Sequence, residues 1–313
     1  MKVSFVIPCY RSADCIEDVC DSIKKVMCEN DLDYEIILVN DSSPDATLKS
    51  IMRICSENSN VKGLNLAKNF GQHSALMAGF HYVSGDIIIC LDDDGQIDPV
   101  ESIRLIQKLD EGYDAVYASY NNKQHSFLRN IGSKLNDYMA YKLINKPKNL
   151  RVSSYFAARR FVIDKIIEYS NPYPYVIGLI LRTTSKIANV PITHKKRAYG
   201  TSGYSFIKLI SLWMNGSTAF SIKPLRIATF LGISTSILGF AYALYIIINR
   251  ILYTDYVMGW SSLMSAILIL GGLMLFTLGI LGEYIGRIYI GLNNSPQYVI
   301  KDTLNINDTN EMR

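Results

Sequence analysis

The chain has 313 residues, a net charge of +4 at pH 7, 49% hydrophobic residues and 19% charged residues. This length accommodates one sizeable globular domain with additional elements. The charge is too small to indicate nucleic-acid binding, and it is compatible with a domain that lies against an anionic membrane surface. The mean hydropathy of +0.12 is high for such a charged chain, and the apolar excess lies in the last third.

The first half of the sequence alternates short apolar runs with amphipathic segments. No signal peptide is expected, because Met1 and Lys2 are followed at once by a strand-like run. The predicted strands are residues 3–7, 34–39, 61–66, 86–91 and 115–118, and the predicted helices are residues 15–27, 47–55, 74–83 and 100–109. Apolar strands with helices between them predict an α/β fold, with a mostly parallel sheet covered by helices on both faces.

Polar residues follow three of these strands, at positions 8–10, 40–42 and 92–94. Ligands of such sheets bind beyond the carboxyl ends of the strands. Asp92, Asp93 and Asp94 come directly after an apolar run. Crowded carboxylates raise each other's pKa unless a cation neutralises them, and oxygen ligands of this kind suit Mg²⁺ or Mn²⁺.

The spacing of the aspartates predicts the metal ligands. If the strand continued, Asp92, Asp94 and Gln96 would lie on one side of it. We therefore predict that these three residues bind a divalent metal that holds a phosphorylated substrate. The alternative is an acidic turn that is simply solvated.

Two uncharged apolar runs, at residues 227–248 and 261–281, are each long enough to cross a bilayer. Because only a short segment separates them, they predict a transmembrane hairpin. The alternative, a pair of buried core helices, is disfavoured because the domain upstream is already complete without them. An amphipathic segment at 205–220 precedes them and predicts an interfacial helix. The positive charges that flank the hairpin place both of its outer ends in the cytoplasm; they are Lys223, Arg226, Arg287 and Lys301. The polar chain after Asp302 is expected to be disordered.

Several blocks of the sequence occur in the order that one enzyme family uses. They are VIPCY at 6–10, VNDSSPD at 39–45, NFGQHSALMAG at 69–79, LDDDGQ at 91–96, RAYGTS at 197–202, FSIKPLR at 220–226 and GEYIGR at 282–287. With the hairpin, they resemble a membrane-anchored family-2 glycosyltransferase of the polyprenyl-phosphate type. Its members include bactoprenol glucosyltransferase, dolichol-phosphate mannosyltransferase and undecaprenyl-phosphate formamido-arabinose transferase.

The resemblance implies a GT-A type, nucleotide-sugar-binding domain at residues 1–204, a juxtamembrane segment at 205–224, a hairpin at 225–290 and a cytoplasmic tail at 291–313. It implies inverting, metal-dependent transfer of a sugar from a nucleoside-diphosphate sugar to a polyprenyl phosphate such as undecaprenyl phosphate. Relatives favour a UDP-sugar over a GDP-sugar as the donor. The enzyme would serve cell-envelope glycan modification as a multi-pass protein of the inner (plasma) membrane, with its catalytic domain in the cytoplasm. Members of the family suggest a homotetramer.

The resemblance also assigns roles to individual residues. Asp92 and Asp94 are the expected catalytic residues, and with Gln96 they are the expected ligands of Mg²⁺ or Mn²⁺. The expected donor-binding residues are Pro8, Tyr10, Asp41 and Asp92. The expected acceptor-phosphate-binding residues are Arg129, Ser133, Arg197 and Ser202.

The sequence departs from the family pattern at three positions. Leu150 and Phe156 stand where relatives carry an Asp and an Arg, and Gly203 stands where a Lys is common. The sugar, the base and the glycan pathway are therefore left open. Two alternatives also remain open, namely transfer to a non-lipid or growing glycan acceptor, and a membrane scaffold that only binds nucleotide-sugar.

Overall fold

The computed structural model describes residues 1–120, 147, 149–192, 223–252, 259–293 and 295–306. These residues form two compact units. The first unit contains all of the described strands and six helices, and the second contains the two long apolar helices.

The strands of the first unit are β1 (Lys2–Cys9), β2 (Asp33–Asn40), β3 (Val61–Leu66), β4 (Ile87–Cys90), β5 (Ala115–Tyr120), β6 (Phe156–Arg159), β7 (Ile187–Ile192) and β8 (Ile300–Leu304). Its helices are α1 (Ile16–Glu29), α2 (Thr47–Glu57), α3 (Gln72–Phe80), α4 (Glu101–Asp110), α5 (Arg160–Ile167) and α6 (Val176–Thr183). The second unit contains α7 (Lys223–Leu252) and α8 (Trp260–Leu292).

The described strands form one sheet in the order β7-β5-β6-β4-β1-β2-β3-β8. The neighbouring pairs β4/β1, β1/β2, β2/β3 and β5/β7 are parallel. The pairs β5/β6, β6/β4 and β3/β8 are antiparallel. The prediction of a mostly parallel α/β sheet is confirmed, and the later strands add its antiparallel part.

Helices pack on both faces of the sheet, as predicted. Val3, Phe5 and Ile7 alternate along β1 and belong to a core with buried residues of α1, α2 and α4. Val6 points to the other face, where α3 packs so closely that a Cβ atom on Gly79 would lie 2.5 Å from Cγ1 of Val6. Only glycine permits this approach without a shift of the strand or the helix.

A buried glutamate lies toward the amino ends of the central strands. Glu35 of β2 is 2% exposed. Its carboxylate accepts hydrogen bonds from Ser4 Oγ at 2.7 Å, from Lys62 Nζ at 2.9 Å, and from the backbone N–H and hydroxyl of Ser84. Lys2 Nζ lies 3.4 Å from the same carboxylate. Every oxygen of this buried acid is thus satisfied by donors or cations.

The chain beyond the second apolar helix returns to the sheet. Strand β8 pairs antiparallel with β3, and Asp302 accepts a hydrogen bond from Asn65 Nδ2 at 2.7 Å. The expectation of disorder after Asp302 is therefore wrong for Thr303 and Leu304, which pair with Leu64 and Gly63. Pairing with an otherwise open sheet edge orders this polar segment, since its backbone N–H and C=O groups gain partners there.

The second unit consists of two long helices that contain the predicted spans. Residues 227–248 lie within α7 and residues 261–281 within α8. Within the described chain, Ser265–Leu292 is long and apolar enough to cross a membrane, and Ala228–Tyr242 is a shorter apolar segment. The predicted interfacial helix at 205–220 and the predicted boundary at residue 204 fall outside the described residues and stay predictions.

Candidate active site

Three loops leave the same edge of the sheet. β1 lies between β2 and β4, both parallel to it, with Cys9 opposite Asn40 and Val6 opposite Cys90. The segments that follow β1, β2 and β4 therefore emerge side by side. The polar residues of the sequence analysis lie in these segments.

The middle aspartate connects two of these loops. Asp93 Oδ2 accepts a hydrogen bond from the backbone N–H of Tyr10 at 2.9 Å and from Ser12 Oγ at 2.5 Å. The thiol of Cys15 donates to the backbone carbonyl of Asp93 at 3.0 Å. The β1–α1 loop and the aspartate segment are thus one hydrogen-bonded assembly.

Asp92 is half-buried and lies close to two other carboxylates. Burial raises its pKa, the charges of Asp94 and Asp93 raise it further, and hydrogen bonds from Ser154 and Gln72 offset only part of the rise, so that the pKa is about 6. The Gln72 Nε2 atom lies 2.9 Å from Oδ1, while the Ser154 hydroxyl donates to Oδ2. The charged form of Asp92 is consequently held at a free-energy cost that a bound cation would relieve.

The premise that the strand continues through the aspartates is wrong. β4 ends at Cys90, and Asp93, Asp94 and Gly95 form a turn with Gly95 at a φ of +64°. The backbone N–H of Gln96 donates to Asp94 Oδ1 at 3.1 Å, which closes this turn. The turn forms because glycine adopts positive φ at no steric cost, so strand alternation cannot assign the directions of these side chains.

The chemistry of this segment fits a divalent metal. The available ligands are oxygen atoms, which Mg²⁺ and Mn²⁺ prefer. In the described part of the chain no lysine or arginine forms an ion pair with Asp92 or Asp93. The same part contains no group of three or more His, Cys, Asp or Glu side chains arranged to hold a metal.

The predicted donor-binding residues lie in the neighbouring loops. Pro8 pairs with Val39 near the end of β1, and Tyr10 has an exposed side chain. Asp41 is buried, and its two oxygens accept the backbone N–H groups of Phe70 at 2.7 Å and Gly71 at 2.8 Å. Burial raises the pKa of Asp41, and these two hydrogen bonds partly offset the rise. Asp41 thus holds the loop before α3, whatever else it contacts.

One position where the sequence departs from the family pattern, Phe156, lies on the strand next to the end of β4. Phe156 is buried, and the centroid of its ring lies 5.4 Å from that of Tyr117, with the two rings tilted by 45°. Leu150 is also buried. Phe156 pairs with Cys90, at the end of β4 and two residues before Asp92. β6 therefore runs beside the end of β4, where the aspartate segment begins.

His73 does not supply a positive charge to the site. Burial lowers its pKa to about 4, so the imidazole is neutral at pH 7. Its ring lies edge-on to Tyr175 at 5.2 Å, and its Nδ1 atom has no hydrogen-bond partner among the described residues.

The four predicted acceptor-phosphate residues, Arg129, Ser133, Arg197 and Ser202, lie outside the described residues, as does Gly203. Of the other predicted residues, the structure brings the segments of Tyr10 and of Asp92 to Asp94 into direct contact. It adds side chains to which the sequence assigned no role, namely Ser12, Gln72, Asp93 and Ser154. Gln72 and Asp93 were signalled by lying inside the quoted blocks.

Comparison with known proteins identifies the fold and the family. Residues 4–167 match Glycosyl transferase family 2, and residues 223–288 match the GtrB C-terminal hairpin. The chain belongs to glycosyl transferase family 2. It is therefore a glycosyltransferase that carries a C-terminal apolar hairpin, and its association with a membrane follows from that hairpin.

Two relatives cover nearly the whole length of this glycosyltransferase. The undecaprenyl-phosphate 4-deoxy-4-formamido-L-arabinose transferase of Klebsiella pneumoniae is 33% identical over 306 residues, which are 96% of this chain and 93% of the relative. An uncharacterized glycosyltransferase of Synechocystis is 34% identical over 308 residues, which are 96% of this chain and 95% of the relative.

Solved structures support the fold. Glucosyl-3-phosphoglycerate synthase from Mycobacterium tuberculosis, in complex with Mn²⁺, UDP and phosphoglyceric acid, aligns with a TM-score of 0.53 and 21% identity. The alignment covers 74% of this chain and 78% of the synthase. The predicted GT-A type fold with a C-terminal hairpin is thereby confirmed.

Proposed function

We propose that this glycosyltransferase moves a sugar from a nucleoside diphosphate, most simply UDP, to a polyprenyl phosphate such as undecaprenyl phosphate. The observation that carries the proposal is the contact between the aspartate segment and the β1–α1 loop in a family-2 domain followed by an apolar hairpin. The Klebsiella relative, named for transfer to undecaprenyl phosphate, supports this acceptor. The synthase bound to Mn²⁺ and UDP supports a metal and a uridine donor.

In this proposal, different loops at this edge of the sheet bind different parts of the donor. Pro8, Tyr10 and Asp41 hold the base and ribose, and Asp92, Asp94 and Gln96 hold Mg²⁺ or Mn²⁺ against the diphosphate. When bound, the metal would neutralise the negative charge that develops on the leaving diphosphate. Asp92 suits this role because a nearby cation would relieve the repulsion that its half-buried carboxylate receives from Asp94 and Asp93.

Transfer forms a bond between the anomeric carbon and an acceptor phosphate oxygen, breaks the bond to the donor diphosphate, and inverts the anomeric configuration. The attacking phosphate has a second pKa of about 6, so it is largely ionised at pH 7. No strong general base is needed, and the neutral His73 does not contradict the proposal. The protein must instead position two anions that repel each other.

The acceptor phosphate is assigned to Arg129, Ser133, Arg197 and Ser202. Arginine suits a phosphate because its planar fork of donors matches the phosphate oxygens. The apolar helices would anchor the protein in the inner (plasma) membrane with the catalytic domain in the cytoplasm, at the level of lipid phosphates. The pathway would be cell-envelope glycan modification.

The decisive experiment is a transfer assay on membranes that contain the protein. Undecaprenyl phosphate, Mn²⁺ or Mg²⁺ and a panel of radiolabelled nucleotide-sugars are supplied, and lipid is extracted into organic solvent. We expect label in the lipid phase that is lost with EDTA and with Asp94→Ala, and that is retained with the exposed-residue control Asp164→Ala. Label found only in a soluble product would favour a non-lipid or growing glycan acceptor. Absence of turnover with every donor would favour a nucleotide-sugar-binding scaffold.

A further inference from the structure

We infer that Asp93 is a positioning residue that holds the β1–α1 loop in the conformation that receives the donor nucleotide. The inference rests on the proposed function, because it takes this loop to be part of the donor site. It assigns to the middle aspartate a role different from that of Asp92 and Asp94, which are assigned to the metal.

The β1–α1 loop is held by side chains from three different segments. The backbone N–H of Tyr10 donates to Asp93 Oδ2 at 2.9 Å, that of Arg11 donates to Ser43 Oγ at 2.9 Å, and that of Ser12 donates to Thr47 Oγ1 at 2.9 Å. Three consecutive amides therefore have side-chain acceptors, and of these three acceptors Asp93 is the one that belongs to the aspartate segment.

The loop needs these contacts because its backbone is strained. Arg11 has a φ of +60°, a left-handed conformation that non-glycine residues adopt at a cost. The flanking hydrogen bonds of Tyr10 and Ser12 to Asp93 hold this conformation from both sides. Tyr10 is 45% exposed, and the Arg11 guanidinium lies 5.6 Å from the centroid of its ring. The exposed part of Tyr10 is therefore accessible to a ligand while its backbone is fixed.

The geometry of the bonds to Asp93 allows a substitution to distinguish a hydrogen-bond acceptor from a metal ligand. Both bonds to Asp93 end on the same oxygen, Oδ2. An asparagine can present its amide oxygen to the same two donors, so Asp93→Asn preserves positioning. A metal ligand, in contrast, depends on the negative charge that asparagine lacks. Alanine removes the acceptor altogether.

The test compares Asp93→Ala with Asp93→Asn in the full-length protein. We expect Asp93→Ala to raise the KM for UDP-sugar and the Kd of UDP about tenfold, the scale of one or two lost hydrogen bonds. The kcat and the KM for undecaprenyl phosphate should stay within about twofold, since those steps use other groups. Asp93→Asn should stay within about threefold of wild type. The matched control is Asp33→Ala, an exposed aspartate at the opposite end of β2.

A double-mutant cycle with Ser12 sharpens the test. Ser12→Ala removes one of the two bonds and should give an intermediate rise in donor KM. Ser12→Ala combined with Asp93→Ala should be no worse than Asp93→Ala alone, because the two residues share one interaction.

Three results would overturn the inference. The first is an unchanged donor KM and UDP affinity in Asp93→Ala, including the case where only the melting temperature falls. The second is equal impairment of Asp93→Ala and Asp93→Asn with a raised Mn²⁺ requirement, which would make Asp93 a metal ligand. The third is a loss confined to kcat. If wild type transfers no sugar, the proposed function fails, and the UDP-binding comparison still decides the role of Asp93.

Discussion

The two ends of the central strands carry acids in opposite electrostatic states, a buried glutamate at one end and a half-buried aspartate at the other. Burial raises the pKa of Glu35, but hydrogen bonds from Ser4, Lys62 and Ser84 outweigh it and lower the pKa to about 2. At the other end, burial and neighbouring carboxylates raise the pKa of Asp92 to about 6. One acid is fully neutralised within the protein, and the other is not.

This difference separates stability from function within one sheet. The Glu35 network contains its own cations, Lys2 and Lys62, so it stabilises the fold without any ligand. The aspartate segment keeps a repulsion that folding tolerates because the rest of the sheet is well packed. Such locally unfavourable charge is typical of sites that bind or act on a substrate.

The largest expected effect is on activity at the aspartate end. Asp92→Asn should lower kcat/KM for sugar transfer about a thousandfold, since in the proposed function it removes charge from the place where the diphosphate would leave. The metal-free melting temperature should stay level or rise, because the substitution removes carboxylate repulsion. Transfer assays and thermal unfolding in EDTA measure both. A large loss of stability with normal transfer would reverse the assignment of the two ends.

The next effect is on stability at the glutamate end. Glu35→Ala should lower the free energy of unfolding by about 2–4 kcal/mol, because it leaves Lys62 and the Ser4 hydroxyl without their acceptor. Glu35→Gln, which retains an acceptor oxygen, should cost less. Urea unfolding of the purified protein gives the values. The kcat of the folded fraction should not change, and a change would show that this network acts on catalysis.

Glu35 and Asp92 should contribute to the pH dependence of stability in opposite directions. Glu35 stabilises the fold above its ordinary pKa of 4.5, and this contribution is lost as pH falls toward its folded value of about 2. Asp92 destabilises the fold above about pH 6, and this penalty is relieved as pH falls toward its ordinary value of 3.8. Metal-free unfolding should therefore show a stability maximum between about pH 4 and 5. Asp92→Asn should remove the rise below pH 6, and Glu35→Gln should flatten the acid decline.

The smallest effect should come from an exposed pair. Arg160 Nε lies 2.7 Å from Asp164 Oδ1 on α5, and both side chains are well exposed. Asp164→Ala should change the free energy of unfolding by at most about 0.5 kcal/mol, because water and salt screen such pairs. Urea unfolding at low and high salt checks this. A loss comparable to that of Glu35→Ala would mean that burial does not explain the contrast.

Much of the fold could be predicted because the pattern of apolar residues directly indicates the positions of the strands. β3 was predicted with its observed bounds, and β1, β2 and β4 within two residues, since each is a short apolar run between polar segments. β6 was not predicted, because its four residues lack a period that distinguishes strand from helix. β8 was missed because its polar sequence becomes a strand only through pairing with β3.

The location of the site at the sheet edge could be predicted from the sequence, but the side-chain contacts within the site could not. The polar residues after the predicted strands indicated the sheet edge at which the site lies, because parallel topology alone brings the carboxyl ends of the strands together. The turn at Gly95 and the bonds from Tyr10 and Ser12 to Asp93 could not be predicted, since they depend on side-chain directions beyond the strand. The role of Ser154 depends on the position of β6, which the sequence did not predict.

The return of β8 to the sheet has a consequence for biosynthesis. The ribosome makes β1 to β7 first, then both apolar helices, and only then the strand that completes the sheet. Until that moment the edge of β3 presents unpaired backbone groups, which invite pairing with other chains. A nascent chain stalled within α8 is therefore more exposed to aggregation than the finished protein. A shortened chain that ends before Ile300 would keep that exposure permanently.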